Sequence, residues 1–253
     1  MRPDRFAPLP PGDAEELLRG VTAHDEARAL SLAFVPDSAR AAALTACAFV
    51  AEAAAIPARV TDPMIGAIRV QWWREALDEA FGGGTVRAHP LVQAVASVLK
   101  PDLRASLEAV LDAMPPFFEG GGGVPLDLLR PTDGAMGALV ARIAGAGADE
   151  AAKAGEASAV AAWARIAAVP PPPARSPQIE TPRQRAARRL AAESMDVRAA
   201  VAEARSAWSE STGAGAVLGG LPFALARAHA EGREPGPLRT RLAMTRMVAL
   251  GRP

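Results

Sequence analysis

Apolar residues recur every three or four positions along most of the chain, the spacing that places them on one face of an α-helix. No segment alternates convincingly between apolar and polar residues as a half-buried strand does. Prolines and glycines gather between the periodic segments and indicate loops at residues 81–90, 114–131, 169–182 and 232–237. The pattern predicts an all-α protein of about ten helices.

The helix predicted from Asp62 to Ala80 carries an arginine, Arg69, where a hydrocarbon is expected. At the helical period Arg69 falls into a stripe that we expect to be buried, formed by Ile65, Ile68, Trp72, Ala76 and Ala80. A guanidinium in that position needs a buried partner or a cavity. Glu52 is the best candidate, because it is the only charged residue between Arg40 and Arg59 on an otherwise apolar helix.

These positions predict a buried ion pair between Glu52 and Arg69, which would satisfy both charges through hydrogen bonds. The alternative is that the two side chains line a residual cavity and bind an anion or polar headgroup together with Arg59, Gln71 and Arg165. We expect Trp72 to fill the core. Trp73, about 100° further around the helix, is expected at the edge of the stripe, where it could stack on an arginine.

The segment Pro63–Leu77 follows the spacing PxxGxxRxxWWRxAL, which resembles a motif of the squalene and phytoene synthase family. Weaker similarity extends over residues 39–56, 130–145 and 221–232. The resemblance implies an isoprenoid-synthase-type helical bundle around a central cavity, open or collapsed. In active members of the family, that fold condenses two isoprenoid diphosphates.

The chain departs from the family where the chemistry would occur. Ionising an allylic diphosphate requires Mg²⁺ held by carboxylates, which two aspartate-rich motifs supply in active members. At the first position this chain offers Glu52 alone, before Pro57 is expected to interrupt the helix, and Asp62 lies beyond. At the second, no carboxylate follows Arg165 until Glu180. We therefore predict no catalytic residues, no metal site and no cofactor, with Mg²⁺ required only if the chain is an active prenyltransferase.

Chain organisation is predicted as an extended leader over residues 1–12 followed by one helical domain over 13–253, with a proline-rich loop at 169–182. Removing residues 1–11 is expected to change stability little. The N-terminus lacks the apolar core of a secretory signal, and no apolar run reaches the roughly 20 residues of a membrane span. We expect a cytoplasmic protein, which could also associate peripherally with the inner membrane. Cys47, the lone cysteine, is expected to be a buried, inert thiol.

Charge is balanced overall, but residues 182–253 hold 12 basic and 6 acidic side chains. The 26 arginines against 2 lysines indicate coding bias rather than nucleic-acid binding. A basic face in the last third could dock an acidic partner or an anionic bilayer. Its candidate residues are Arg185, Arg188 and Arg189, for which a solvated helix face is the simpler interpretation.

Three functions fit the sequence. The preferred one is a non-catalytic family member that binds another protein, because the segments around Glu52 and the tryptophan motif resemble a branch of respiratory complex I assembly factors, mitochondrial and alphaproteobacterial. A subunit of that complex is the partner that the resemblance implies. The alternatives are an active prenyltransferase with displaced ligands and a protein that binds an isoprenoid or quinone-like lipid without turnover.

Overall fold

The computed structural model describes residues 6, 8–60, 62–115, 125–168, 196–208 and 213–253. This part of the chain is built from α-helices with short 3-10 and π turns and contains no strand, which confirms the all-α prediction. The helices are α1 Pro11–His24, α2 Glu26–Ser31, α3 Asp37–Arg59, α4 Pro63–Gly82, α5 Pro90–Val98, α6 Arg104–Asp112, α7 Pro125–Leu129, α8 Ala135–Ile143, α9 Ala148–Ala168, α10 Val197–Trp208, α11 Ala214–Gly219, α12 Ala226–Ala230 and α13 Pro237–Leu250.

Two long helices, α3 and α9, form the centre of the bundle. Helix α3 packs against α1, α4, α5, α6 and α8, while α9 packs against α8, α10, α11 and α12. Both helices are rich in alanine, a strong helix former whose short side chain lets neighbouring helices approach closely. The bulk of the core is supplied by larger side chains that are almost fully buried, including Phe49, Trp163, Trp208 and Phe223.

Helix α3 does not stop at Pro57 as the sequence suggested, but continues to Arg59. Asp62 then begins α4, where its carboxylate accepts a hydrogen bond from the Met64 backbone nitrogen at 2.8 Å. Within the described residues, Asp37–Pro57 is also the one stretch long and apolar enough to cross a bilayer. Because 72% of its most apolar window is buried inside the protein, a core helix accounts for it.

The described residues of the leader contact the core. Helix α1 begins at Pro11, and ahead of it Phe6 is fully buried and Leu9 is 6% exposed. Both side chains belong to the main hydrophobic core. The expectation that residues 1–11 can be removed with little effect on stability therefore does not agree with the structure.

Close contact between α8 and α9 rests on glycine. The three-residue spacing of Gly134 and Gly137 in the sequence predicts such an approach, with Asp133 or Thr132 capping the helix start. A Cβ at Gly137 would lie 2.7 Å from the Ala154 carbonyl oxygen and would overlap the Ser158 side chain. Thr132 and Asp133 do not cap α8, however, because both lie in a π-helical turn, Arg130–Gly134, that runs directly into the helix. This turn directs Asp133 into the interior.

Candidate functional site

A cluster of charged side chains lies where the ends of α1 and α9 meet the π-helical turn, and Arg165, with its side chain 27% exposed, reaches inward to it. Arg165 lies between two carboxylates, with its Nη2 atom 3.5 Å from Asp25 Oδ2 and 3.4 Å from Asp133 Oδ1. Asp25 is 6% exposed and Asp133 is 5% exposed, so both need a cationic partner to remain ionised. We call these three residues the Arg165 triad.

Local structure holds each carboxylate of the triad. Asp25 is the N-cap of α2, and its Oδ1 accepts a hydrogen bond from the Arg28 backbone nitrogen at 3.2 Å. Asp133 is flanked by the Thr132 hydroxyl, 3.2 Å from Oδ2, and by His24 Nε2, 3.4 Å from Oδ1. Each carboxylate is thus fixed by backbone or side-chain contacts in addition to Arg165.

A second guanidinium, that of Arg28, is almost fully buried. Arg28 is 1% exposed, and its Nη2 donates a hydrogen bond to Ser158 Oγ at 2.8 Å. Ser158 Oγ in turn donates to the carbonyl oxygen of Gly219 at 3.1 Å, which links α2, α9 and α11. Arg28 Nη1 has no hydrogen-bond partner among the described residues. An arginine therefore ties three elements together in the middle of the fold.

The buried charges shift the pKa values of their neighbours. Burial lowers the pKa of Arg165, but the negative charges of Asp25 and Asp133 outweigh that effect, so its pKa lies above the ordinary value. Burial also lowers the pKa of His229, and Arg165 lowers it further, against the opposing effects of Asp25 and Glu234. His229 therefore favours its neutral form inside the fold.

The lone cysteine is buried as expected. Burial raises the pKa of the Cys47 thiol to about 11, although the positive charge of Arg28 acts in the opposite direction. The thiolate, which is the nucleophilic form, is therefore scarce at neutral pH.

Of the predicted site residues, Arg165 is the one that belongs to this cluster. Glu52 instead pairs with Arg59, whose Nη1 lies 2.9 Å from Glu52 Oε2, and both side chains are more than a third exposed. Arg69 is exposed and forms no ion pair with Glu52 among the described contacts, so the prediction of a buried Glu52–Arg69 pair is wrong.

The ion-pair prediction fails because α4 turns a different face toward the core than the one predicted from the sequence. The helix buries Gly66, Val70, Trp73, Ala76 and Leu77. This face lies about 100° from the stripe predicted from the sequence. Met64, Ile65 and Ile68, at 72%, 48% and 63% exposed, point outward together with Gln71 and Trp72.

The two tryptophans of the motif exchange their expected roles. Trp73 is buried and meets Phe49 edge to face at 5.4 Å between ring centroids. Trp72 lies at the surface, where the guanidinium carbon of Arg87 stacks 4.4 Å above its ring. Arg87 is itself held by Glu79 through two hydrogen bonds of 2.8 and 2.6 Å. Gln71 makes a local hydrogen bond of 3.2 Å to Glu75.

Sequence reasoning missed Asp25, Arg28 and Asp133. Asp25 stands between two helical segments, a position typical of a cap, and Asp133 precedes a glycine, which suggested a cap on α8. Neither position carries a signal that it faces a partly buried arginine more than thirty residues away. Arg185, Arg188, Arg189 and the proline-rich segment lie outside the described residues.

Together, the described helices form an all-α bundle of the isoprenoid-synthase type with a charged interior. The family model for squalene/phytoene synthase matches residues 21–169, which is more than half of the chain. The protein therefore belongs to the squalene/phytoene synthase family. No curated protein and no solved structure matches it.

Proposed function

We propose that this protein is a non-catalytic member of the squalene/phytoene synthase family that acts as an assembly or interaction factor. The observation that carries the proposal is the Arg165 triad, in which one arginine forms ion pairs with both buried carboxylates. The carboxylate at the first expected motif position, Glu52, is likewise engaged by Arg59 at 2.9 Å. These carboxylates are already paired with cations of the chain itself.

Head-to-head condensation needs the opposite arrangement. Several carboxylates must converge on Mg²⁺, so that the metal compensates the leaving diphosphate. Among the described residues no group of three or more His, Cys, Asp or Glu side chains is arranged to hold a metal ion. The residues that the structure describes do not fit a magnesium site.

The exposed face of α4 is the candidate surface for a protein partner. Met64, Ile65 and Ile68 form an outward apolar patch beside Trp72, on the helix that carries the most family-specific motif. By its resemblance to complex I assembly factors, we propose that this face binds a subunit or intermediate of that respiratory complex. Apolar patches with a polar rim are typical of such contacts.

The catalytic alternative is tested by incubating the purified protein with farnesyl or geranylgeranyl diphosphate and Mg²⁺. We expect no diphosphate release and no shift in melting temperature. Release that disappears in Glu52→Ala would make the chain an enzyme with relocated ligands. A thermal shift without release would favour a protein that binds isoprenoids without turnover.

The assembly role is tested in the organism that carries the gene. Deletion should lower the amount of assembled complex I on native gels and the NADH oxidation of isolated membranes. Complementation with Glu52→Ala should restore both, whereas Ile68→Asp should not. Thr22→Asp, an exposed position on α1, controls for the added charge. Normal complex I in the deletion strain would reject the assembly role.

A further inference from the structure

Helix α13 has one face on the protein and one face in solvent. Thr240, Met244 and Met247 are buried, and the helix rests on α11 and on the 3-10 turn Leu221–Leu225. At about 100° per residue, the side directly opposite carries Leu238, Leu242, Thr245 and Ala249. Leu238 is 81% exposed and Leu242 is 68% exposed. The outermost line of this helix therefore carries two exposed leucines and an alanine, with Thr245 as its one polar residue.

Arginines border that apolar line on both sides. At the helical period Arg239 and Arg246 lie along one edge and Arg241 lies along the other, while Arg252 follows the helix. No acidic side chain occurs between Pro235 and Pro253. Within the described part of the chain, none of these four arginines forms an ion pair with a carboxylate. The exposed face of α13 thus has apolar residues along its centre and cationic residues along both edges.

We propose that α13 is a membrane-docking helix, which lies in the plane of an anionic lipid surface with Leu238 and Leu242 inserted among the acyl chains. Arginines along both edges can bury their aliphatic stems and hold their guanidinium groups at the phosphates. Lipid phosphates complement the arginines while the acyl chains take up the leucines, so a single anionic lipid surface matches both features of the helix. The helix has 14 residues, too short to span a bilayer but suited to lie on it.

This inference goes beyond the proposed function, since it concerns a different helix and holds whether or not the chain is catalytic. Basic residues near an anionic bilayer each strengthen binding by about fivefold at low ionic strength. The apolar residues add a contribution that salt does not screen. We therefore expect an electrostatic and an apolar contribution to membrane binding. Substitution of the arginines or of the leucines separates the two, and so does added salt.

The experiment is flotation of the full-length protein with vesicles of phosphatidylcholine alone or of phosphatidylcholine with about 30% phosphatidylglycerol, which gives the vesicle a negative surface potential. We expect binding to the anionic vesicles and much weaker binding to the neutral ones. Leu238→Ser/Leu242→Ser and Arg239→Gln/Arg246→Gln should each weaken binding by about tenfold or more. Because all four side chains are exposed, the melting temperature should not change.

Two matched controls use other exposed positions. Met64→Ser/Ile68→Ser removes comparable apolar groups from α4, and Arg19→Gln removes an arginine from α1. Neither should alter vesicle binding. The proposal is overturned if the protein does not float with anionic vesicles, if it binds neutral vesicles equally well, or if the α4 variant loses binding and the α13 variants do not.

Insertion can be measured directly with a fluorophore. Because Cys47 is fully buried, Leu242→Cys can be labelled selectively with an environment-sensitive dye in the native protein. Dye emission should shift to the blue on anionic vesicles, whereas a dye at Thr22→Cys on α1 should not respond. An unchanged spectrum at position 242 despite flotation would rule out insertion of α13. Binding to an acidic protein without vesicle binding would assign the surface to a protein partner instead.

Discussion

The Arg165 triad balances one positive charge against two negative charges inside the fold. Replacement of Arg165 by methionine would leave Asp25 and Asp133 as buried carboxylates without their cation. We expect Arg165→Met to lower the free energy of unfolding by about 3 to 5 kcal/mol, measured by urea denaturation. Adding Asp25→Asn and Asp133→Asn should restore part of that loss. If the free energy of unfolding of Arg165→Met lies within about 1 kcal/mol of the wild-type value, the triad is not a buried charge network.

His229 should make stability depend on pH. Its pKa is lowered in the folded state, by burial and then by Arg165, so the unfolded chain binds a proton more readily. The stability from neutral His229 is present above its unfolded pKa of about 6.5 and is lost as pH falls below that value. Between pH 8 and pH 5.5 the melting temperature of the wild type should therefore fall more than that of His229→Gln. His89→Gln serves as the control, and equal slopes in all three proteins would contradict this account.

At the scale of single elements, the sequence pattern identified the helices well. It was a poor guide to which face of a helix is buried. The alanine-rich segments of α3 and α9 could hardly form anything else, and the spacing of Gly134 and Gly137 correctly indicated a close helix contact. The face of α4 could not be read in the same way. This helix has apolar residues around most of its circumference, so periodicity alone does not decide which side meets the core.

Close packing of α8 on α9 gives an element-scale prediction. A methyl group at Gly137 would overlap Ser158, whose hydroxyl also bonds to Arg28 and Gly219 and cannot move freely. Gly137→Ala should destabilise the protein by about 1 to 3 kcal/mol. Gly20→Ala is the matched control, because nothing lies within 4 Å of its added Cβ and alanine is the better residue inside α1. Gly20→Ala should be neutral or stabilising. The free energy of unfolding of both variants is measured by chemical denaturation, and a similar loss in the two would contradict the packing argument.

For the whole molecule, the family and the fold class could be recognised from sequence, but the charged interior could not. The family motif is local and lies within Pro63–Leu77, inside the residues 21–169 that the family model matches. The Arg165 triad joins residues from three distant segments. Arg165 was expected to line a cavity, but the two aspartates occupy positions that a cap explains locally. Long-range pairing of buried charges depends on tertiary structure, which a single sequence does not specify at the level of side chains.

The N-terminal segment tests how far the core extends. Phe6 and Leu9 are buried in the main hydrophobic core, so deleting residues 1–9 should expose the apolar surface that they cover. Burial of two such side chains contributes roughly 3 to 6 kcal/mol as an upper estimate. We expect the deletion to lower the melting temperature clearly in calorimetry, and Phe6→Ser/Leu9→Ser in the full-length chain to reproduce most of the loss. Deleting only residues 1–4 keeps both side chains and is the control. If the longer deletion has the melting temperature of the wild type, burial of Phe6 and Leu9 does not contribute to the stability of the bundle.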